Sequence, residues 1–586
     1  MTQITGGEAF VRMLQLHGVK HIFGLCGDTS LPFYDAMYRL EHGMQHILTR
    51  DERSAAYMAD GYARVSGRVG VCEGPSGGGA TYILPGVVEA NESSIPVLCF
   101  TSDISVSARG RYALTELDQQ ALFRPLTKWN TVLDTGADIP RALRNAFKQM
   151  TTGRPGAVHI GLPYDVQKQM VDEADIWGDA SLNQFPSRRD CADPAAIAEA
   201  AKLLIAAERP LFIVGGGVVI SGAEAELVAC AGRLGAPVAT TISGQGSIGD
   251  AHALALGVVG SNGGTLPTRA LVQAADLVVF VSCRAGSVTT ERWRYPAPGK
   301  VAVIQLDIDP AVIGANYPVA VGLVGDAKLT LAALRDELDA SGARARGWGS
   351  DAVAAAKREK FSAFRLLAEA NERPIRPERV VAELNRVLQD DAVVVADPGT
   401  PCPYLSAYYQ NELTGRHFIS NRAHGALGYS MAAAAGAYFG RPGAKIVSVM
   451  GDGSFGFTVG ELETICRLKI PLAMVVISNS NFGWIRAGQK TGFGGRYFSV
   501  DFSRTDHAAV ASAFGVKSYR GGRPAEAARH AQAGGGGERT GTGGCAVPAA
   551  RGGEGAGERV DRLSRSWQAA FRIADGNPCG TLAATR

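Results

Sequence analysis

One pattern dominates the sequence: short runs rich in β-branched residues stop at Gly, Asp or Ser, and each gives way to a longer Ala- and Leu-rich amphipathic stretch. The segments 95–103, 157–162, 210–217, 277–284, 301–309, 392–397, 445–451 and 471–480 are such runs. Apolar strands alternating with helices belong to parallel sheets covered on both faces, where neither side of a strand meets water. The expected fold is therefore α/β, built from doubly wound parallel sheets. Ligands of such sheets bind beyond the carboxyl ends of the strands. The loops that follow these runs are the places to look for chemistry.

A chain of 586 residues is too long for one core, since domains run to about 100–200 residues. Two composition shifts divide it. Residues 172–189 are polar, carry the turn signal Pro186-Ser187 and precede a new helix start at Asp193-Pro194. Residues 341–377 form a charged, Ala/Arg-rich connector with a helix expected to end at Pro374. Three consecutive domains are expected, at 1–185, 190–340 and 365–520. The remainder, 521–586, is atypical: 521–560 is about a third glycine with no strand or helix period. No closing strand can be read there, so the third sheet is expected to lack its last strand, and the tail reads as the product of a shifted reading frame.

The net charge of +3 and the absence of basic patches interleaved with aromatics exclude a nucleic-acid footprint. No apolar run approaches the roughly 20 residues of a membrane span, and the first ten residues lack a signal-peptide pattern, so a cytoplasmic location without membrane contact is expected.

Gly451-Asp452-Gly453-Ser454 closes one run, and Ser478-Asn479-Ser480-Asn481 closes the next. A carboxylate and an amide oxygen at the ends of neighbouring parallel strands can converge on one hard cation, while small residues open backbone N–H groups to phosphate oxygens. Alone, the tripeptide reads equally as a strand-to-helix turn. In the first block, Thr49-Arg50-Asp51-Glu52 precedes a helix carrying Ala55, Ala56 and Ala59 on one face. Alone, Glu52 reads as a dipole-favoured carboxylate at a helix start.

Taken together, these segments resemble the thiamine-diphosphate enzymes of the acetolactate synthase superfamily, of the large catalytic subunit type, over roughly residues 3–520. Asn479 follows Asp452 by 27 residues, as that family requires. The resemblance implies pyrimidine-binding, central Rossmann-like and diphosphate-binding domains. It implies Mg²⁺ held by Asp452, Asn479 and the Asn481 carbonyl, with Gly451, Gly453, Ser454 and Asn481 around the diphosphate, and Ser76 and Gly399 in the cofactor loops. Glu52 would hydrogen-bond N1′ of the aminopyrimidine so that N4′ can take the C2 proton. Leu427 would be the large apolar residue beneath the cofactor.

Asp28, Gln119 and Lys128 fall in the family's substrate loops and are candidate catalytic residues. Asp28 reads equally as a proton donor or a turn aspartate, and Cys26 and Ser76 could line the same pocket. Trp484 matches a helix that overhangs the substrate, with core packing as the alternative. Departures from the family pattern are the interrupted pair Asn479-Ser480-Asn481, the acid at Asp28 and the segment Leu114–Gln119. The central block, with Gly215-Gly216-Gly217, Asn262-Gly263 and Arg284, would bind FAD in some relatives and ADP or nothing in others.

The implied activity is thiamine-diphosphate-dependent carbon–carbon cleavage and ligation on a small 2-oxo acid. A non-carboligating decarboxylase, an FAD-dependent oxidase and an inactive frameshift product are the alternatives. One cofactor held by the first and third domains of two chains implies a homodimer or homotetramer. The sequence does not identify a regulatory subunit.

Overall fold

A computed structural model describes residues 2–370, 375–388 and 391–520, together with two strands at 542–543 and 580–585. The helix end expected at Pro374 and most of the expected atypical tail lie outside the described residues. The described chain forms two compact units, one of Met1–Arg188 with Asn421–Gly443 and Thr458–Leu468, the other of the remainder.

The first unit is organised by a six-stranded sheet. Its strands are β1 (His21–Gly24), β2 (Gln45–Leu48), β3 (Gly70–Gly74), β4 (Val97–Asp103), β5 (Trp129–Val132) and β6 (Val158–Pro163), in the order β2-β1-β3-β4-β6-β5. All pair in parallel. β3 and β4 are buried along their whole length, including the polar residues Glu73, Thr101, Ser102 and Asp103 at their carboxyl ends. Phe10, Phe33 and Phe100 meet edge-on or tilted in the core beside this sheet.

The helix Glu52–Ser66 begins at an Asp51 cap that accepts from the Arg53 N–H and ends at Gly67 with φ +67°. Nearly all of it is buried, because it crosses the helix Tyr429–Gly440 at very short range. A Cβ on Gly61 would lie 2.2 Å from the Ala433 carbonyl oxygen, and one on Gly436 would lie 1.9 Å from that of Met58. The Ala face seen in the sequence is thus the wall of a helix crossing at which two positions admit only glycine.

The second unit contains two further parallel sheets. The central one has β7 (Pro210–Val214), β8 (Val238–Thr240), β9 (Ala255–Val258), β10 (Leu277–Val281), β11 (Ala302–Asp307) and β12 (Val321–Val324), ordered β9-β8-β7-β10-β11-β12. The other has β13 (Val393–Ala396), β14 (Phe418–Ser420), β15 (Ile446–Gly451), β16 (Leu472–Ser478), β17 (Val516–Arg520), β18 (Thr542–Gly543) and β19 (Gly580–Thr585), ordered β14-β13-β15-β16-β19-β17-β18. Without the two-residue edge strand β18, this last order repeats that of the first sheet.

β19 corrects the expectation that the third sheet lacks its closing strand. Gly580–Thr585 runs parallel between β16 and β17, paired to both. This strand is not announced by its own residues, because a slot between two strands offers backbone donors and acceptors on both sides, and a short segment free of proline can fill it.

The helix crossing generates a test. Gly436→Ala should lower stability to urea by about 1–3 kcal/mol, the usual cost of overpacking. Gly232, on an exposed helix surface with nothing within 4 Å of its Cβ position, is the control. Gly232→Ala should raise stability by about 0.5–1 kcal/mol.

Candidate functional site

In the first unit the loops after β1 to β4 share one rim of the sheet. Thr49, just past β2, donates through both its N–H (2.9 Å) and its hydroxyl (3.2 Å) to the Gly24 carbonyl at the end of β1. Three residues on, Glu52 is only 6% exposed. Glycines leave it room: a Cβ on Gly74 would lie 3.3 Å from its Cγ, and one on Gly79 3.2 Å from its Oε1. Among the described residues, no other residue donates a hydrogen bond to the Glu52 carboxylate. Burial pushes its pKa up, helped by the Asp51 and Glu73 charges, against its own N–H and Arg53. The arrangement suits an acid that holds a proton for a ring nitrogen better than it suits a solvated helix-start carboxylate.

The turn before Glu52 is clamped by a residue that the sequence did not single out. Glu461, buried at the start of the helix Glu461–Arg467, accepts from the Arg50 N–H at 2.9 Å and from the Thr464 hydroxyl at 2.7 Å. Burial pushes its pKa up to about 7. No local pattern could have paired it with Arg50, 411 residues earlier.

The same rim carries a chain of hydroxyls. Thr29 meets Ser76 at 3.0 Å and Ser102 at 2.7 Å, and Ser76 meets Thr115 at 2.7 Å. Asp28 opens the short turn Asp28–Ser30, exposed, its carboxylate accepting from the Thr29 N–H at 2.9 Å. Gln119 is buried beside this chain, accepting from Thr101 at 2.5 Å and donating to the Ser102 carbonyl at 2.9 Å. Asp103, at the end of β4 and also missed in the sequence, is pushed up to about 6 by burial. Cys26 is exposed on the loop after β1.

Lys128 is not brought to this rim. It precedes β5, at the amino end of the sheet, and its ammonium donates to the carbonyls of Gln149 (2.5 Å) and Thr152 (2.7 Å), where the helix Ile139–Thr151 ends. That is the helix-terminus role of a cation.

Leu427, half-buried, sits one residue before Gly428, whose φ of +86° starts the helix Tyr429–Gly440. The loop ahead of it is held by a buried acid. Glu89 accepts from the N–H groups of Ala423 (3.2 Å) and His424 (2.7 Å) and pairs with Arg64 at 3.2 Å. Arg64 reaches Asp60 at 2.8 Å, and the Tyr429 hydroxyl donates to the same Asp60 carboxylate at 2.5 Å.

In the second unit, Asp452 follows β15 and Asn479 follows β16, and these two strands are paired neighbours. Buried Asp452 accepts at Oδ2 from the Ser478 hydroxyl (3.1 Å) and the N–H groups of Asn479 (2.8 Å) and Ser480 (2.6 Å). Among the described residues its Oδ1 takes only the Gly453 N–H, at 2.9 Å. Ser480 adopts φ +56°, and across it the Asn481 N–H donates to Asn479 Oδ1 at 3.2 Å while the Asn481 amide donates to the Asn479 carbonyl at 2.8 Å. The interrupting serine is therefore a tight left-handed turn that keeps both asparagines together.

A carboxylate oxygen with spare capacity beside two asparagines is an all-oxygen donor set, suited to a small hard cation. Among the described residues no group of three or more His, Cys, Asp or Glu gathers for a softer metal. Gly451 ends β15, Gly453 faces the Phe482 ring, and Ser454 is buried in the helix that Asp452 opens. Gly399, with φ +99°, lies past β13, the strand on the other side of β15. Trp484, 48% exposed, stands near the start of the helix Gly483–Gly492.

On the central sheet the glycine turns meet neighbouring chain. A Cβ on Gly215 would lie 2.0 Å from the Ser282 carbonyl oxygen, and one on Gly260 2.2 Å from that of Val288. Arg284 follows β10, its carbonyl accepting from the Asn316 amide at 2.8 Å.

Comparison with known proteins gives three consecutive family matches. The N-terminal TPP-binding domain of thiamine pyrophosphate enzymes matches residues 4–122, their central domain 197–334 and their C-terminal TPP-binding domain 397–540. A probable acetolactate synthase large subunit of Methanocaldococcus jannaschii is 35% identical over 524 residues, 88% of this chain and 87% of that protein. A second, from Methanococcus aeolicus, is 34% identical over 88% of each chain. The acetolactate synthase large subunit of Corynebacterium glutamicum is 34% identical over 84% of this chain and 78% of its own length.

The Glu461 clamp generates a pH test. Its carboxyl titrates higher folded than unfolded, so its stability contribution is complete below about 4.5 and is lost as pH rises through about 7. Urea midpoints should therefore show the wild type losing ground to Glu461→Gln between about pH 5 and about pH 8. A constant difference between the two proteins across that window would contradict the burial argument.

Proposed function

Since the chain belongs to the thiamine pyrophosphate enzyme family, alongside acetolactate synthase large subunits, we propose that it is an acetolactate synthase-like enzyme that splits a small 2-oxo acid and joins the fragment to an acceptor carbonyl. The observation that carries this reading is Glu52, a buried carboxyl on a strand-end rim with glycine-lined space before it and, among the described residues, no donor from another residue. No membrane-spanning helix is found among the described residues; a cytoplasmic location belongs to the proposal.

Thiamine diphosphate, when bound, supplies the carbon nucleophile for the keto group. Asp452 through Oδ1, Asn479 through its side chain and Asn481 through its carbonyl would hold Mg²⁺. Gly451, Gly453 and Ser454, small residues around the start of the helix that Asp452 opens, would let the diphosphate approach the backbone. Glu52 would hold one proton in a hydrogen bond to N1′, and its raised pKa suits a group that shares that proton. Leu427 would support the cofactor from below, on a loop fixed by Glu89. Ser76, Asp28 and Gln119 would border the reacting centre, with Gly399 in the cofactor loop, whereas Lys128, committed to helix carbonyls, is left out of the reading.

The active assembly is proposed to be at least a homodimer. The large-subunit name of the relatives supports a second subunit type for this chain as well. FAD binding in the central domain is a separate question, answered by the visible absorbance of the purified protein.

Two variants test the proposal. Glu52→Gln should keep the fold and most of the cofactor affinity while slowing hydrogen–deuterium exchange at C2 of bound thiamine diphosphate by about 10²–10⁴, the range of general acid–base effects. Exchange at the wild-type rate would return Glu52 to a helix-start role. Asp452→Ala should lose Mg²⁺-dependent cofactor binding in calorimetric titration, and unchanged affinity would remove the metal assignment. Product analysis with pyruvate, alone and with an added aldehyde, then separates ligation from simple decarboxylation.

A further inference from the structure

We propose that the cavity around Lys360, in the second unit, is a binding site for a small monovalent anion of the size of chloride or formate. Lys360 stands on the helix Trp348–Ala368 and is 7% exposed. Among the described residues its ammonium has no hydrogen bond and no ion pair. Its near neighbours are ring faces instead, Phe361 at 5.1 Å and Tyr408 at 5.8 Å from the ring centroids. A buried ammonium without hydrogen-bonding partners is costly, and cation–π contacts offset only part of that cost.

The surroundings carry an excess of positive charge that an anion would cancel. Lys357, one turn earlier, donates its ammonium to the carbonyls of Asp250 (2.7 Å) and His252 (3.3 Å). Asp250, the acidic group facing both lysines, has its carboxylate engaged by the Asn411 N–H at 2.8 Å. Two lysines against one aspartate leave one unit of charge uncompensated. Burial holds Lys360 down to about 8, the sign of an ammonium short of compensation.

The space is suitable for a small guest. The cavity is lined by Lys360, Lys357 and Asp250 and by the polar side chains of Thr240, Gln245 and Ser406. Gly257, with φ +92°, faces the ammonium, and a Cβ there would lie 3.3 Å from Nζ. The room is that of about one water or small ion, too little for a nucleotide or an amino acid.

Two measurements decide between an anion and a water, and neither depends on the proposed chemistry. Crystals of the wild-type protein grown in bromide should show one anomalous peak in contact with Lys360 Nζ; a water or an empty cavity there overturns the proposal. At constant ionic strength, replacing gluconate by chloride should raise the melting temperature of the wild type. In Lys360→Met the half-saturating chloride concentration should rise by about tenfold or more, the worth of one charge-assisted hydrogen bond. An equal chloride effect in both proteins overturns the site as well. If Lys360→Met does not fold, the bromide measurement on the wild type stands alone and decides.

Discussion

The crossing of the helices Glu52–Ser66 and Tyr429–Gly440 is the constraint on which the first unit's candidate site depends. Its backbones approach so closely that Gly61 and Gly436 face carbonyl oxygens with no room for a methyl group. One helix begins with Glu52 and the other begins just after Leu427. Fixing the crossing fixes both residues. The buried set Asp60, Arg64, Glu89 and Tyr429 locks the same contact. Its charges are almost wholly out of water, so removing one partner would leave the others uncompensated, at a cost of about 3–5 kcal/mol. Such a network adds less net stability than its contacts suggest, but it penalises any other register of the two helices. Glu89 extends this control to the Leu427 loop by accepting two of its N–H groups.

Much of this was legible in the sequence because parallel sheets write themselves plainly. Fully buried strands such as β4, β7, β10 and β13 give apolar runs that end where a loop begins. The motif residues were legible for a related reason: Asp452 and Asn479 end neighbouring strands, so their spacing is one strand–helix–strand unit. What escaped were pairings between distant parts of the chain. Glu461 and Glu89 look like ordinary helix acids until the fold lays them against Arg50 and against the 423–424 backbone. Lys128, placed by the family pattern among the substrate loops, lies just before β5 with its ammonium on the carbonyls of Gln149 and Thr152, a contact that its motif position does not announce. The strand β19 was missed because its place is set by the vacancy between β16 and β17 more than by its own residues.

The first and third sheets share a strand order, and in both the candidate residues fall at the carboxyl ends of the first strands to be laid down. Chain reversal between the second and third strands of each sheet opens a crevice at that edge, where loops can diverge without uncovering the core. Glu52, Asp28 and Ser76 follow β2, β1 and β3, and Gly399, Asp452 and Asn479 follow β13, β15 and β16. One topology therefore presents functional groups twice, and the chemistry differs only through the residues placed on each rim.

That difference is physical. On the first rim, Glu52 has no donor from another residue among the described residues, so burial acts on its carboxyl opposed only by its own N–H and Arg53. On the third rim, Asp452 is surrounded by donors, with Ser478, Asn479 and Ser480 all directed at one oxygen and a single N–H at the other. The first environment suits a group that keeps or shares a proton; the second fixes a carboxylate in orientation and leaves one oxygen with spare capacity. Exchanging the residues without their surroundings would transfer neither property. An aspartate at position 52 would be too short to fill the space before Gly74 and Gly79, and a glutamate at position 452 would carry its carboxylate past the three donors that now converge on Oδ2. The identity of each acid is thus set by the geometry of its rim, which is why these two positions, among the many acids of the chain, carry the functional reading.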